Sequence, residues 1–185
     1  ALMMNKNKNQ KGFTLLEMIV SVGIFAIVIL IALSSLFSIT DAQKKAVALQ
    51  NVLDNMRFSL EAMSKEIRTG SSYHCAPDIS LVPEDCAGGT SMTFLNAEGV
   101  TVTYFLQTNN SINQIMKKTG ADVARPVTAA NVNIERLIFY VSGTGASDQR
   151  QPRATIVLEG LVSPTPRTQT RLNLETSVSQ RKLDS

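Results

Sequence analysis

The sequence predicts an α+β fold. A long N-terminal helix, membrane-spanning in its first half and amphipathic in its second, packs on a C-terminal antiparallel β-sheet. Three observations carry this. Residues 13–39 are an apolar run whose one charge is Glu17. Residues 40–69 contain no Pro or Gly, and their apolar positions recur at helical spacing. Beyond Gly89 the period changes to two, with β-branched and aromatic residues between turn signals.

Composition narrows the function classes. The chain has 185 residues, enough for one ordinary domain with an appendage. Hydrophobic residues make up 44% and charged residues 18%, which excludes a disordered tail. A single His excludes a zinc site built on several histidines and argues against Ser-His-Asp chemistry. Two Cys allow one disulfide at most.

Residues 1–12 read as a basic leader, with Lys6, Lys8 and Lys11 and no acid. The chain opens on Ala1, which suggests residues added or extended upstream of the natural start; Met3 and Met4 are both candidate initiators. The apolar run that follows, Phe13–Ile39, would span roughly 40 Å as a helix, enough to cross a bilayer core. The three lysines orient its N-terminus to the cytoplasm by the positive-inside rule, which puts the rest of the chain outside. A secretory signal peptide is the rival reading. Its apolar core is shorter, and Ser34-Ser35 makes a poor cleavage site. Glu17 has two readings: an interfacial acid favoured by the helix dipole, or a charge awaiting a positive partner on another chain.

The segment Lys11-Gly12-Phe13-Thr14-Leu15-Leu16-Glu17, ahead of an apolar helix, resembles the processing site of type IV prepilins and pseudopilins. The resemblance implies a pilin-like fold and cleavage by the membrane-embedded prepilin peptidase between Gly12 and Phe13. It also implies N-methylation of Phe13, and a Glu17 that neutralises the N-terminal amine of a neighbouring subunit during assembly. Gly12 would give the peptidase an unhindered extended backbone. Two charges costly in lipid would become a pair. Many pilins carry a helix-breaking Pro that this chain lacks. Gly23 is therefore read as a close-packing surface, a local melting site, or a tolerated residue.

The amphipathic half, residues 40–69, carries its stripe on Leu49, Val52, Leu53, Met56, Leu60, Met63 and Ile67. Residues 13–69 as one helix would run roughly 85 Å. A coiled-coil partner is possible in principle, but the stripe keeps no strict heptad, so packing on the chain's own sheet is favoured. Arg68 in the last turn and Gly70 beyond it predict a C-cap.

Residues 70–91 hold both cysteines, two Pro and three Gly, and read as a loop. Outside the membrane, Cys75 and Cys86 can oxidise; a structural disulfide is the favoured reading. Metal binding by His74, Cys75 and Cys86 with Asp85, a Cys-His nucleophile, and two free thiols are the alternatives. Asp78, Glu84 and Asp85 lack the spacing of a regular calcium loop, so a solvated loop is the default.

Residues 92–185 read as the sheet region. Expected strands are 92–95, 100–106, 111–118, 132–142, 153–163 and 168–179, with Asn96-Ala-Glu-Gly99 as a hairpin turn and 121–131 irregular around Pro126. Thr170, Leu172, Leu174 and Val178 share one phase, which implies one buried face. Residues 175–181 resemble the last strand of many prepilin-type proteins. The 56–68 segment and the strand pattern resemble minor pilins and the larger minor pseudopilins of type II secretion.

The favoured function is a structural subunit, a minor pilin or pseudopilin, of a type IV pilus or type II secretion-type filament. The resemblance implies as partners the prepilin peptidase, other pilin or pseudopilin subunits, the inner-membrane assembly platform and the lipid bilayer. It places the chain in the cytoplasmic membrane as a single-pass protein, and in the filament after assembly. The alternative is an anchored binding module for adhesion or DNA uptake. Lys117-Lys118, Arg125, Arg150 and Arg153 are too scattered to make a nucleic-acid patch by sequence, so no nucleic acid is expected as a partner. No metal cluster, nucleophile motif or phosphate loop points to an enzyme or a cofactor. Taking the three leader lysines from 18 basic residues leaves 15 against 15 acids, so the +3 formal charge is the leader's.

Overall fold

The computed structural model of the protein describes residues 12–76, 82–109, 111–145, 150–162 and 169–181. The chain divides into two compact units, residues 1–44 and 45–185. One helix, α1 (Leu15–Thr69), contributes to both.

In the first unit α1 is unbroken through Gly23, where an added Cβ would meet nothing within 4 Å. It starts at Leu15 rather than at Phe13. Thr14 is the reason: its Oγ1 accepts the Glu17 N–H at 3.3 Å, and its carbonyl accepts the Met18 N–H at 3.2 Å. Thr14 is thus the N-cap, which leaves Phe13 outside the helix.

In the second unit, the amphipathic half of α1 lies against two sheets. The expected stripe is the buried one: Val52, Met56, Leu60, Met63 and Ile67 are core, with Leu49 and Leu53 half-buried. Phe58, off the stripe, is exposed. The helix ends at Thr69 as expected, but Gly70 is not a left-handed cap. Ser72 takes the positive φ, at 55°. Gly70 is required for space instead, since a Cβ there would sit 2.5 Å from Phe94 Cδ2 and 2.8 Å from the Leu95 carbonyl oxygen. Tyr73 Oη closes the helix end by donating to the carbonyls of Ile67 and Gly70.

Nine strands follow among the described residues: β1 (Ser71–His74), β2 (Cys86–Gly89), β3 (Ser91–Leu95), β4 (Thr101–Asn109), β5 (Ile112–Thr119), β6 (Arg125–Pro126), β7 (Asn133–Ser142), β8 (Arg153–Val162) and β9 (Thr170–Ser179). They form two antiparallel sheets, in the orders β1-β3-β4-β5-β6 and β2-β7-β8-β9. The single sheet expected from sequence is therefore corrected to two. The 70–91 segment is not wholly loop, because it supplies the edge strands β1 and β2. Each is four residues long and rich in Ser, Ala or Gly, so neither carries the β-branched alternation that marks a strand in sequence. Pro126, expected in irregular chain, sits in the two-residue edge strand β6, where its missing N–H costs no central ladder bond.

The core draws on all three layers. Tyr73, Phe94 and Tyr104 form an aromatic cluster, with ring centroids 6.3 and 6.2 Å apart in successive pairs. On β8 the alternation is regular: Ala154, Ile156, Leu158, Gly160 and Val162 all face inward. Gly160 lets the helix approach, since a Cβ there would collide with Met56 Sδ. In β7 the register shifts between Ile134 and Arg136, so Ile134 and Leu137 both reach the core although three positions apart. The 96–99 turn is as expected: Asn96 Oδ1 accepts the N–H groups of Glu98 and Val100, and Gly99 has φ 75°.

Candidate processing and assembly site

The residues singled out by sequence at the N-terminal end are Gly12, Phe13 and Glu17. Gly12 precedes the helix, and an added Cβ would find nothing within 4 Å. Phe13 is 73% exposed. Gly12 and Phe13 thus both lie outside the helix, and both are exposed. Lys6, Lys8 and Lys11 lie outside the described residues.

Glu17 is the third helical residue, exposed, in the turn where the helix dipole favours an acid. Its backbone N–H is used by the Thr14 cap, and its carbonyl accepts Ser21 Oγ at 2.7 Å. No ion pair holds its carboxylate among the described residues. Thr14 is a capping residue that sequence reasoning missed. The signal was present: Thr14-x-x-Glu17 has the spacing of a capping box.

From Leu15 to Ile39 the large apolar side chains face outward, and the helix has a window apolar and long enough to cross a membrane with none of it buried. A core helix of a soluble protein would be covered. Two hydroxyls in or beside this stretch bond within the helix: Ser34 Oγ to the Leu30 carbonyl and Thr40 Oγ1 to the Leu36 carbonyl, each at 2.9 Å. Such back-bonding meets the requirement that polar groups in hydrocarbon be satisfied internally.

Residues 7–33 match the family model of the prokaryotic N-terminal methylation motif. This motif, with the long apolar helix behind it, fits the type IV pilin-like family. The match spans the Gly12–Phe13 bond, Glu17 and most of the apolar run. No curated protein and no solved structure matches the chain.

The other candidates lie in the second unit. Cys75 and Cys86 are joined as a disulfide with Cα atoms 6.1 Å apart. Cys75 follows β1 and Cys86 opens β2, so the bond ties an edge of one sheet to an edge of the other. Gly89 packs against it, since a Cβ there would collide with Cys75 Cβ. The disulfide takes both thiols that the metal and nucleophile readings needed. Asp85 has a structural partner: its Oδ1 accepts Thr144 N–H at 2.9 Å and Thr144 Oγ1 at 2.8 Å. The Thr144 backbone bond is the largest cause holding this carboxyl below its ordinary range. Asp78 lies outside the described residues. Of the scattered basic residues, Lys117 is paired with Glu66.

Proposed function

We propose that this chain is a minor pilin or pseudopilin, a structural rather than catalytic subunit of a type IV pilus or type II secretion-type filament. The peptidase cuts between Gly12 and Phe13, and Phe13 becomes the methylated first residue. Lys6, Lys8 and Lys11 hold the leader on the cytoplasmic side of the inner membrane, and the second unit faces outward. The assembly platform then extracts the subunit from the bilayer into the filament, where Glu17 meets the N-terminal amine of a neighbour.

The observation that carries this reading is the open Gly12–Phe13 bond at the head of an uncovered apolar helix. Such a helix requires lipid before assembly and other helices after it. The Thr14 cap supports a separate role for the Glu17 carboxylate, because the cap uses only the Glu17 backbone. Mass spectrometry of the mature protein from cells that hold the peptidase tests the proposal. A chain beginning at methylated Phe13 is expected, and an intact leader overturns it.

A further inference from the structure

The two sheets have four edges, and three are formed by strands of four residues or fewer. β1 and β2 are four residues each and are tied together through Cys75–Cys86. β6 is two residues and contains Pro126. β9 differs. It is ten residues long, ends its sheet, and pairs with β8 over ten successive positions without a register shift. It holds no Pro and no Lys, devices that commonly protect an exposed edge. Among the described residues no strand occupies its other side.

Its sequence says what fits there. Residues 170–176 read Thr-Arg-Leu-Asn-Leu-Glu-Thr, a palindrome in residue type about Asn173, except that Arg171 mirrors Glu175. Two such strands pairing antiparallel about a two-fold axis at Asn173 place every residue opposite a suitable mate. On the exposed face Asn173 meets Asn173 of the second copy, and Arg171 meets the second copy's Glu175, twice by symmetry. On the half-buried face Leu172 meets Leu174 and Thr170 meets Thr176, each twice. These are the cross-strand pairs that stabilise a sheet. A register displaced by two residues sets Arg171 opposite Ser177 or Asn173 and loses both ion pairs. A register displaced by one turns one apolar face outward.

We propose that β9 is a homotypic docking edge, through which two copies of this chain join into one continuous eight-stranded sheet centred on Asn173. Both charged side chains face solvent. Arg171 contacts Glu135 at 2.8 Å and Glu159 at 3.7 Å, yet its side chain remains 67% exposed. Glu175 is exposed and holds no ion pair among the described residues. The interface is isologous, so it closes at a dimer rather than propagating. It goes beyond the subunit role above and does not depend on it.

Site-specific cross-linking of the full chain in detergent micelles tests this. Asn173→Cys and Ser177→Cys each place one thiol on the exposed face of β9, the native cysteines being used in their disulfide. In the proposed register the Cα atoms at position 173 of the two copies lie roughly 5 Å apart. Those at position 177 are separated by eight positions along the strands, roughly 27 Å. A short bis-maleimide is expected to give covalent dimer from Asn173→Cys and none from Ser177→Cys. Adding Glu175→Arg to Asn173→Cys turns two attractive pairs into two repulsive ones and is expected to weaken the dimer about tenfold. Glu175 is exposed, and an unchanged thermal transition confirms that the variant is folded. No dimer from Asn173→Cys, equal yields at 173 and 177, or a yield indifferent to Glu175→Arg overturns the proposal.

Discussion

Tyr104, buried on β4, donates its phenol to Glu66 Oε2 on α1 at 2.6 Å. The other oxygen of the same carboxylate takes the Lys117 ammonium from β5. Tyr104 and Lys117 are direct cross-strand partners, so one helical acid fastens α1 to two adjacent strands. The three residues are far apart in sequence, and their arrangement lets Tyr104 be buried with its hydroxyl satisfied.

That bond has a stability signature. Tyr104→Phe keeps the ring and removes the donor, and should cost roughly 1–2 kcal/mol at neutral pH, because the acceptor is charged and only partly exposed. Burial first, then the hydrogen bond and charge of Glu66, push the Tyr104 phenol above its ordinary value of 10. The folded state therefore favours the neutral phenol. Its contribution is complete below pH 10 and is lost as pH rises beyond that value. Chemical denaturation from pH 8 to 11 should show a falling stability in the native chain and a shallower fall in Tyr104→Phe. Equal slopes would assign the alkaline loss to other groups.

Asp85 predicts the opposite limb. Its carboxyl is held below 3.8, chiefly by the Thr144 backbone N–H. A depressed folded value means that the contribution is complete above the ordinary carboxylate range and fades as pH falls through it. The group is exposed and solvent-screened, so Asp85→Asn should cost under about 1 kcal/mol at pH 7. Below pH 4 the variant and the native chain should converge, as followed by acid titration of the thermal midpoint. A gap that persists undiminished at pH 2.5 would show that the amide fails for another reason.

The disulfide should contribute to stability on the scale set by the loop it closes. Cys75 and Cys86 close a separation of 11 residues, worth roughly 2–3 kcal/mol by loop entropy. Cys75→Ser with Cys86→Ser should lower the melting temperature of the second unit by roughly 5–10 °C. The loss should appear first as exchange of the β1 and β2 amides with solvent, because the bond joins these two edges. A uniform rise in exchange across β7, β8 and β9 would mean that the whole unit depends on it.

The sequence made some of this legible and left other parts hidden, for physical reasons. The α1 stripe from Val52 to Ile67 was readable because a half-buried helix repeats its apolar residues at a fixed angle. The six longer strands were readable because β-branched and aromatic residues alternate in them. The two-sheet arrangement was not. β1 and β2 are held by pairing and by the disulfide rather than by their own composition. Gly70 looked like a cap because of its place after Arg68, whereas the structure needs it small beside Phe94. Non-local approach leaves no local mark in a sequence. At the N-terminus the motif pointed to the Gly12–Phe13 bond and Glu17 as candidates, while the Thr14 cap went unread although its spacing was in view.

The cap separates two roles at that end of the helix. Thr14 engages the Glu17 backbone, so a change of the Glu17 side chain leaves that bond in place. Glu17→Gln and Glu17→Ala should therefore leave cleavage after Gly12 near its native level, while incorporation into filaments falls sharply. The cause would be an N-terminal amine left without a counter-charge among apolar helices. Thr14→Ala removes the cap acceptor and should fray the first turn at a cost of about 1 kcal/mol, with Thr14→Ser restoring it. Quantifying cleaved protein by mass spectrometry and assembled protein in sheared filaments reads the two steps independently. Normal assembly of Glu17→Ala would remove the proposed pairing, and loss of cleavage in that variant would move Glu17 to the processing step instead.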